Sequence, residues 1–148
     1  MTHKYYAGLS RSKTLKRRKE IAKRKTMSWK NPNAYKQFPT DAGVKTKPSQ
    51  YTRKWKSLFP SSSSSLKEKA RQTGVPVQYL RKSFNRGLAA WRTGHRPGAT
   101  QSQWGYARVH SMLLCGKTYW TTDADIVRDA KRHSRKAAKW WQKQRQCV

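Results

Sequence analysis

The residue types best suited to catalysis are three histidines and three aspartates in the second half of the chain, namely His95, His110, His133, Asp123, Asp125 and Asp129. A metal-dependent nuclease needs carboxylates that converge on one cation. Asp123 and Asp125 instead stand where a helix is predicted to begin, a position that favours negative charge, and Asp129 follows one turn later. Because the chain has only six acidic residues, we expect no enzymatic activity, no catalytic residues, and no metal or cofactor site.

The two cysteines, Cys115 and Cys147, do not form a metal-binding pattern. Neither belongs to a C-x-x-C pair or to a Cys/His zinc spacing. Cys115 lies on an apolar helix face, where a free cysteine is usually a small buried hydrophobic residue. Cys147 lies near the C-terminus, where it could cross-link in an oxidising particle. The sequence does not decide the oxidation state of either thiol.

Charge is the most informative property of the composition. The chain has 35 Lys and Arg against six Asp and Glu in 148 residues, a formal net charge of +29. Such a charge destabilises a compact state by self-repulsion unless anions compensate it. Nucleic acid is one suitable partner, because Lys and Arg that contact phosphates release condensed counterions. An acidic protein assembly is the other.

No membrane span and no signal peptide are predicted. No apolar run approaches the ~20 residues that a spanning helix needs. The N-terminus becomes basic where the hydrophobic region of a signal peptide would begin.

The first 50 residues predict a long, extended, basic N-terminal arm. A helix over 12–25, capped by Ser12, is possible, but it has too few apolar residues to bury a face and is expected to fold only on contact with a partner. Pro32, Pro39 and Pro48 predict an extended connector after it. The cations predicted to bind nucleic acid or an acidic partner are Lys13, Lys16, Arg17, Arg18, Lys19, Lys23, Arg24 and Lys25. Three aromatic side chains are predicted to anchor in pockets of a partner, namely Trp29, Tyr35 and Phe38.

The rest of the chain predicts a mainly α fold, a small multi-helix domain over residues 65–140 with a basic C-terminal helix. Residues 51–64 are expected to form a short helix and a serine linker, and 141–148 a tail. Cap and spacing signals predict helices over 66–73, 77 to near 94, and 101 to 116. A short extended link over 117–120 and one long helix from Thr122 to Trp141 should follow. The expected core consists of Leu80, Phe84, Leu88, Trp91, Trp104, Leu114 and Ile126.

The two helices around Gly74 have the spacing of a helix-turn-helix motif. The second helix would then offer polar and basic side chains to a major groove, namely Gln78, Arg81, Lys82 and Asn85. However, any two helices joined by a short turn show this pattern, and Lys69 stands where the motif has an apolar residue. Ordinary helix packing is therefore the favoured interpretation.

Cations and aromatic residues alternate between Trp91 and Trp120, as they do in proteins that hold single-stranded nucleic acid. Most of these tryptophans are nevertheless expected to form the core. The cations of the helical domain predicted to contact nucleic acid or an acidic partner are Arg81, Lys82, Arg92 and Arg96.

Three segments are similar to a known family: YTRKWKSLFP at 51–60, KARQTGVP at 69–76, and RGLAAWRTGHRPGATQSQWGYARVHSMLLCGKTYWTTDADI at 86–126. Together they resemble an uncharacterised domain family of giant DNA viruses of algae and protists and of large tailed phages, over Tyr51 to Ile126. The resemblance implies a large double-stranded DNA virus as the source and packaging in the virion. That family has no established activity, so the resemblance transfers no catalytic residue.

Two functions remain open. The first is a non-enzymatic structural virion protein, a minor capsid component that binds neighbouring capsid subunits on the inner face of the shell. The second is a sequence-independent DNA-binding protein that condenses the packaged genome. A basic arm without its own core is expected to be disordered unless an ordered partner holds it, and this expectation favours the capsid protein.

Overall fold

The computed structural model describes residues 3–61, 65–144 and 147, and these residues are mainly α-helical with no β-strand. The prediction of a mainly α fold is confirmed. Part of the predicted serine linker (62–64) and part of the predicted tail (145, 146 and 148) lie outside the described residues. The α-helices are α1 Arg11–Thr26, α2 Gln50–Leu58, α3 Leu66–Thr73, α4 Val77–Trp91, α5 Gln101–Leu113, α6 Lys117–Trp120, α7 Ala124–His133 and α8 Arg135–Gln142, and short 3-10 helices cover His3–Tyr6, Pro32–Tyr35 and Pro39–Asp41.

The chain divides into two compact units, and the division falls within α4 and α5. Unit 1 comprises Met1–Lys47 and Gly87–Trp104, and unit 2 comprises Pro48–Arg86 and Gly105–Val148. Residues 3–47 are therefore not an extended arm, contrary to the prediction of such an arm over residues 1–50. They fold against residues 87–104, which the sequence assigned to the helical domain.

Helix α1 begins earlier than predicted, because Ser10 rather than Ser12 caps it and accepts a hydrogen bond from the Lys13 amide. Its inner face buries Arg17, Ile21 and Arg24. Only one of these side chains is apolar, so hydrophobic spacing could not reveal that the helix packs. Polar contacts across the chain replace the missing apolar stripe.

In the middle of the chain the predicted helix starts at Leu66, Val77 and Gln101 and the predicted end of α3 are confirmed, whereas α4 and α5 end at Trp91 and Leu113, about three residues before the predicted ends. The Ser65 hydroxyl accepts from the Glu68 amide at the start of α3, and Gly74 ends that helix with a left-handed φ of 79°. Thr100 and Gln103 exchange side chain-to-backbone hydrogen bonds before α5 and form a capping box.

Unit 2 has a contiguous hydrophobic core. Its largest fully buried side chain is Trp141, whose indole N–H donates to the Met112 carbonyl oxygen. Three predicted core residues of unit 2, namely Leu80, Leu114 and Ile126, lie in this core. Phe84 packs against it and is only partly buried.

In unit 1, Trp91 is buried as predicted, at 3% exposure. Its indole N–H donates to the Ala99 carbonyl oxygen at 2.9 Å. Leu88 and Trp104 are only half-buried, so the predicted core is confirmed in part.

Two predictions for the C-terminal third are wrong. Residues 117–120 form the helical turn α6 rather than an extended link, because the Ser111 hydroxyl accepts from the Thr118 amide and the Gly116 carbonyl from the Tyr119 amide. The single long helix is divided at Ser134. That residue has an extended backbone, ends α7 with its amide and caps α8 with its hydroxyl.

The two cysteines are bonded to each other. Cys115 is buried, at 4% exposure, and forms a disulfide with Cys147. The bond joins the end of the chain to the turn between α5 and α6. Cys115 is thus buried, as its apolar helix face indicated, and the oxidation state that the sequence left undecided is a disulfide.

Candidate nucleic-acid interface

The inner face of α1 is fixed by a buried hydrogen-bond cluster around Arg17. The guanidinium donates to Thr40 Oγ1 at 3.0 Å and to Asp41 Oδ1 at 2.8 Å. It also donates to the backbone carbonyl oxygens of Tyr5 (3.1 Å) and His95 (2.5 Å). The side chains of Arg17 and Asp41 are 0% exposed. This ion pair is therefore a structural one.

Asp41 joins three segments of unit 1. Besides Arg17, it accepts from the amides of Phe38 (3.2 Å) and Gly98 (3.0 Å), and its Oδ2 lies 2.8 Å from His95 Nε2. Burial opposes ionisation, but the hydrogen bonds from His95 and Gly98 and the nearby positive charges outweigh it, so the pKa of Asp41 is lowered. Gly98 is required here, because its φ is +84° and a Cβ would lie 2.2 Å from the Val44 carbonyl oxygen.

Arg24 fixes the segment that follows α1. Its guanidinium donates to the carbonyl oxygens of Ala34 (2.7 Å) and Lys36 (2.5 Å), and burial lowers its pKa. The Phe38 ring lies within 4.6 Å of the Arg17 guanidinium and 4.4 Å of the Arg24 guanidinium. Cation–π attraction is strongest at such desolvated sites.

Three of the predicted partner contacts are therefore wrong. Phe38 is 1% exposed, and the side chains of Arg17 and Arg24 are also buried. The two guanidiniums donate to acceptors of this same chain and the Phe38 ring packs against both of them, so none of the three side chains is available to a partner.

The outer face of α1 carries the other predicted cations, all of them exposed. Residues three, four or seven apart share a helix face, so the exposed cations of the helix form two rows. We call Lys16, Lys19 and Lys23 the first row, and Arg11, Arg18 and Lys25 the second row. The second row extends about 21 Å along the helix.

Between the two rows lies a narrow strip without charge. Its residues are Leu15, which is 54% exposed, Ala22, which is also exposed, and at the last turn Thr26, whose hydroxyl donates to the Lys23 carbonyl oxygen at 2.7 Å. Lys13, the remaining exposed cation predicted to bind, stands outside both rows on the flank next to Arg17.

The two rows have no carboxylate partner within residues 3–61, 65–144 and 147. The one acid of α1, Glu20, accepts a hydrogen bond from Thr40. Like charges three or four residues apart destabilise a helix by a few tenths of a kcal/mol per pair. An anionic ligand along this face would therefore stabilise α1.

The remaining predicted contacts are distributed over both units. Trp29 (63% exposed) and Tyr35 (38%) in unit 1 remain accessible. In the same unit Arg92 and Arg96 are half-buried. Their binding to a partner stays a prediction.

In unit 2, the second helix of the possible helix-turn-helix exposes all four residues that the sequence placed in a groove, namely Gln78, Arg81, Lys82 and Asn85. Lys69, the residue that departs from the motif, is buried at 2% exposure. Whether this helix pair contacts nucleic acid stays a prediction.

Two of the three aspartates considered for catalysis, Asp123 and Asp125, pair with arginines of unit 2, and the third, Asp129, has its Oδ1 3.6 Å from His133 Nδ1. Asp123 is fully buried and accepts from Ser83 (2.7 Å) and Arg108 (2.7 Å). Asp125 pairs with Arg86 at 2.7 Å, and hydrogen bonds from that guanidinium lower the pKa of its carboxyl group. Among the described residues, no three His, Cys, Asp or Glu side chains are placed to hold a metal ion. No described helix has the length and apolarity to cross a membrane.

Sequence reasoning missed two buried polar side chains of unit 2, Lys69 and His110, that lie against Trp55. The Lys69 ammonium lies 5.1 Å from the Trp55 ring centroid and 5.5 Å from that of Tyr106, and burial lowers its pKa. His110 stacks on Trp55 at 5.5 Å. Burial, together with the charges of Lys69 and Lys56, lowers the pKa of His110 to about 3. The one sequence signal was Lys69 itself, at a position where the helix pattern calls for an apolar residue.

Comparison with known proteins identifies a family without assigning a function. No curated protein and no solved structure matches the chain. Residues 2–133 match a family of unknown function, DUF5824. This range includes α1 as well as the segment Tyr51–Ile126, and the expectation of an uncharacterised domain is confirmed. Because the match extends over most of the 148 residues, the chain belongs to the DUF5824 family.

Proposed function

We propose that the chain binds double-stranded nucleic acid without sequence preference, with α1 lying along the major groove. The observation that carries the proposal is the pair of exposed cation rows on a helix whose opposite face is locked by Arg17 and Asp41. A major groove about 12 Å wide admits one helix and has a phosphate backbone on each side. One row would then face each strand.

The charge of the two rows and the chemistry of the strip between them both support binding through phosphates without sequence preference. Each cation that contacts a phosphate releases condensed counterions, so six such contacts would dominate the binding free energy. Leu15 and Ala22, between the rows, have no side-chain group that can hydrogen-bond to a base edge. Contacts to phosphates position a protein but carry no sequence information. Binding should therefore be independent of sequence.

We further propose that this binding takes place in the particle of a large double-stranded DNA virus, where the protein would neutralise packaged DNA and have no enzymatic role. The support for this setting is the resemblance of the segment Tyr51–Ile126 to proteins of such viruses, together with the net charge of +29. A chain that carries so much charge is suited to a compartment that is crowded with phosphate.

A structural protein on the inner face of the capsid is the second candidate. The exposed Trp29 and Tyr35 favour it, because aromatic side chains are enriched at protein–protein interfaces. The argument from a disordered arm no longer favours it, because residues 11–26 are a helix held by their own chain. Salt extraction of purified virions separates the two candidates: release together with the genome supports DNA binding, and retention with the shell supports the capsid role.

The experiment that tests the proposal compares two sets of matched lysine variants on two unrelated duplexes near physiological salt. The first set neutralises the first row with Lys16→Gln, Lys19→Gln and Lys23→Gln, since glutamine keeps helix propensity. The control set neutralises three exposed lysines elsewhere in the chain, namely Lys67, Lys139 and Lys143.

Wild type should bind both duplexes equally, and the first set should lose about tenfold or more in affinity because it loses three phosphate contacts. The control set should lose much less. A strong preference for one duplex, or equal losses in the two sets, would contradict the proposal.

A further inference from the structure

Trp29 is the most exposed large hydrophobic side chain among the described residues, at 63%. Single exposed apolar residues are common on protein surfaces, so exposure alone does not indicate a function. Two further properties distinguish Trp29: the backbone that carries it is fixed by hydrogen bonds, and its surroundings are cationic.

The fixed backbone begins directly after α1. The Asn31 amide donates to the Ser28 carbonyl oxygen at 3.0 Å, which closes a turn around Trp29. Within this turn the Lys30 amide donates to the Ser28 hydroxyl, and the Asn31 side chain caps the 3-10 helix Pro32–Tyr35.

Arg24 anchors this segment to α1. It donates to the carbonyl oxygens of Ala34 and Lys36, and Ala34 is fully buried. The indole of Trp29 is therefore presented to solvent from a preorganised turn, and it would lose little backbone entropy when it meets a ligand.

The surroundings of Trp29 are positively charged. The Lys30 ammonium lies 5.4 Å from its ring centroid. Both cation rows end just before the turn, at Lys23 and Lys25. A phosphate backbone bound along α1 would therefore bring nucleotides to this indole.

We infer that Trp29 stacks on an unpaired nucleobase, so that the protein binds gapped or locally opened nucleic acid more tightly than intact duplex. Aromatic side chains beside cations bind single strands in this way, because every base has a π-face that can stack on an indole. The intact duplex offers no free base face except at its ends. The inference rests on the proposed function, and it adds a preference for unpaired bases that the cation rows alone would not produce.

The test measures the affinity of the full-length protein for two labelled probes by fluorescence anisotropy near physiological salt. One probe is an intact duplex, and the other is the same duplex interrupted by a short single-stranded gap of thymines. The variants are Trp29→Ala and Trp29→Phe, with Trp120→Ala as a control, since Trp120 is also exposed (57%) but belongs to unit 2.

Wild type should prefer the gapped probe by about tenfold, the order expected for one stacked base. Trp29→Ala should abolish this preference and leave the affinity for the intact duplex unchanged. Trp29→Phe should retain part of the preference, and Trp120→Ala all of it.

The inference is overturned if wild type binds both probes equally, or if the preference persists in Trp29→Ala. Failure of the proposed function would look different, because neutralising Lys16, Lys19 and Lys23 would then leave the affinity for the intact duplex unaltered.

Discussion

The buried ion pair of unit 1 gives a prediction about what holds α1 in place. Replacing Asp41 with alanine leaves the Arg17 guanidinium buried without its counter-ion and deprives the amides of Phe38 and Gly98 of their acceptor. Removing one partner of a buried ion pair costs about 3–5 kcal/mol. Since a typical domain is stable by about 5–15 kcal/mol, Asp41→Ala should remove a large part of the stability of this unit.

A double-mutant cycle shows whether the cost arises from the pair. Arg17→Met keeps the apolar stem and removes the charge, so the double variant no longer has a buried, unpaired guanidinium. We expect the double variant to be more stable than the sum of the single changes predicts, with a coupling free energy of about 2 kcal/mol. Lys16→Gln on the exposed face of α1 is the control and should change stability by less than about 0.5 kcal/mol.

The assay combines urea denaturation with hydrogen exchange of peptides that cover α1. In Asp41→Ala, the amides of Arg11–Thr26 should exchange much faster than in wild type, while those of Ala124–His133 in unit 2 keep their protection. If Asp41→Ala loses less than about 1 kcal/mol, or if the two single changes are additive, the cluster is not what fixes α1.

Three further predictions concern unit 2. Because the pKa of His110 is lowered to about 3, the unfolded chain at about pH 5 binds a proton there that the folded chain does not. Going from about pH 7.5 to about pH 5 should therefore lower the free energy of unfolding by about 2 kcal/mol at this site, and His110→Gln should reduce this pH dependence in urea titrations. Reducing the disulfide, which closes a sequence separation of 32 residues, should cost about 4 kcal/mol, measured against a Cys147→Ser variant that should not respond to reductant. Lys69→Met keeps the buried aliphatic stem and removes an ammonium that has no carboxylate partner among the described residues. It should therefore raise the free energy of unfolding by about 1 kcal/mol in urea titrations, and a loss of stability would contradict this reasoning.

Much of the helical fold was predictable because local signals determine it. The cap at Ser65, the left-handed Gly74 and the Thr100–Gln103 box all act within four residues, so the sequence contains the complete interaction.

The packing of α1 could not be predicted, because its partners are distant and polar. Arg17 is separated by 24 residues from Asp41 and by 78 from the His95 carbonyl oxygen. The ligands of Arg24 are backbone carbonyl oxygens, which any residue type provides. A helix with one buried apolar residue, Ile21, has no hydrophobic periodicity, so its burial became visible only in three dimensions.

The same limitation explains which site residues were assigned wrongly. Arg17 and Arg24 have the same type and spacing as the exposed cations around them, and nothing local separates a structural guanidinium from one that is free to bind. The only hint in the sequence was Asp41, one of two acids among the first 60 residues. An acid in a segment with so few of them and so many cations is a candidate for a buried ion pair.

The central claim is that the exposed rows of α1 contact phosphates, and the salt dependence of duplex binding tests it most directly. For wild type, the logarithm of the affinity should fall linearly with the logarithm of the salt concentration. Neutralising Lys16, Lys19 and Lys23 together should reduce the magnitude of that slope by about 2.7, or about 0.9 per lost contact. The control set at Lys67, Lys139 and Lys143 should leave the slope close to that of wild type. An unchanged slope in the α1 variant, or an equal reduction in the control, would contradict the account.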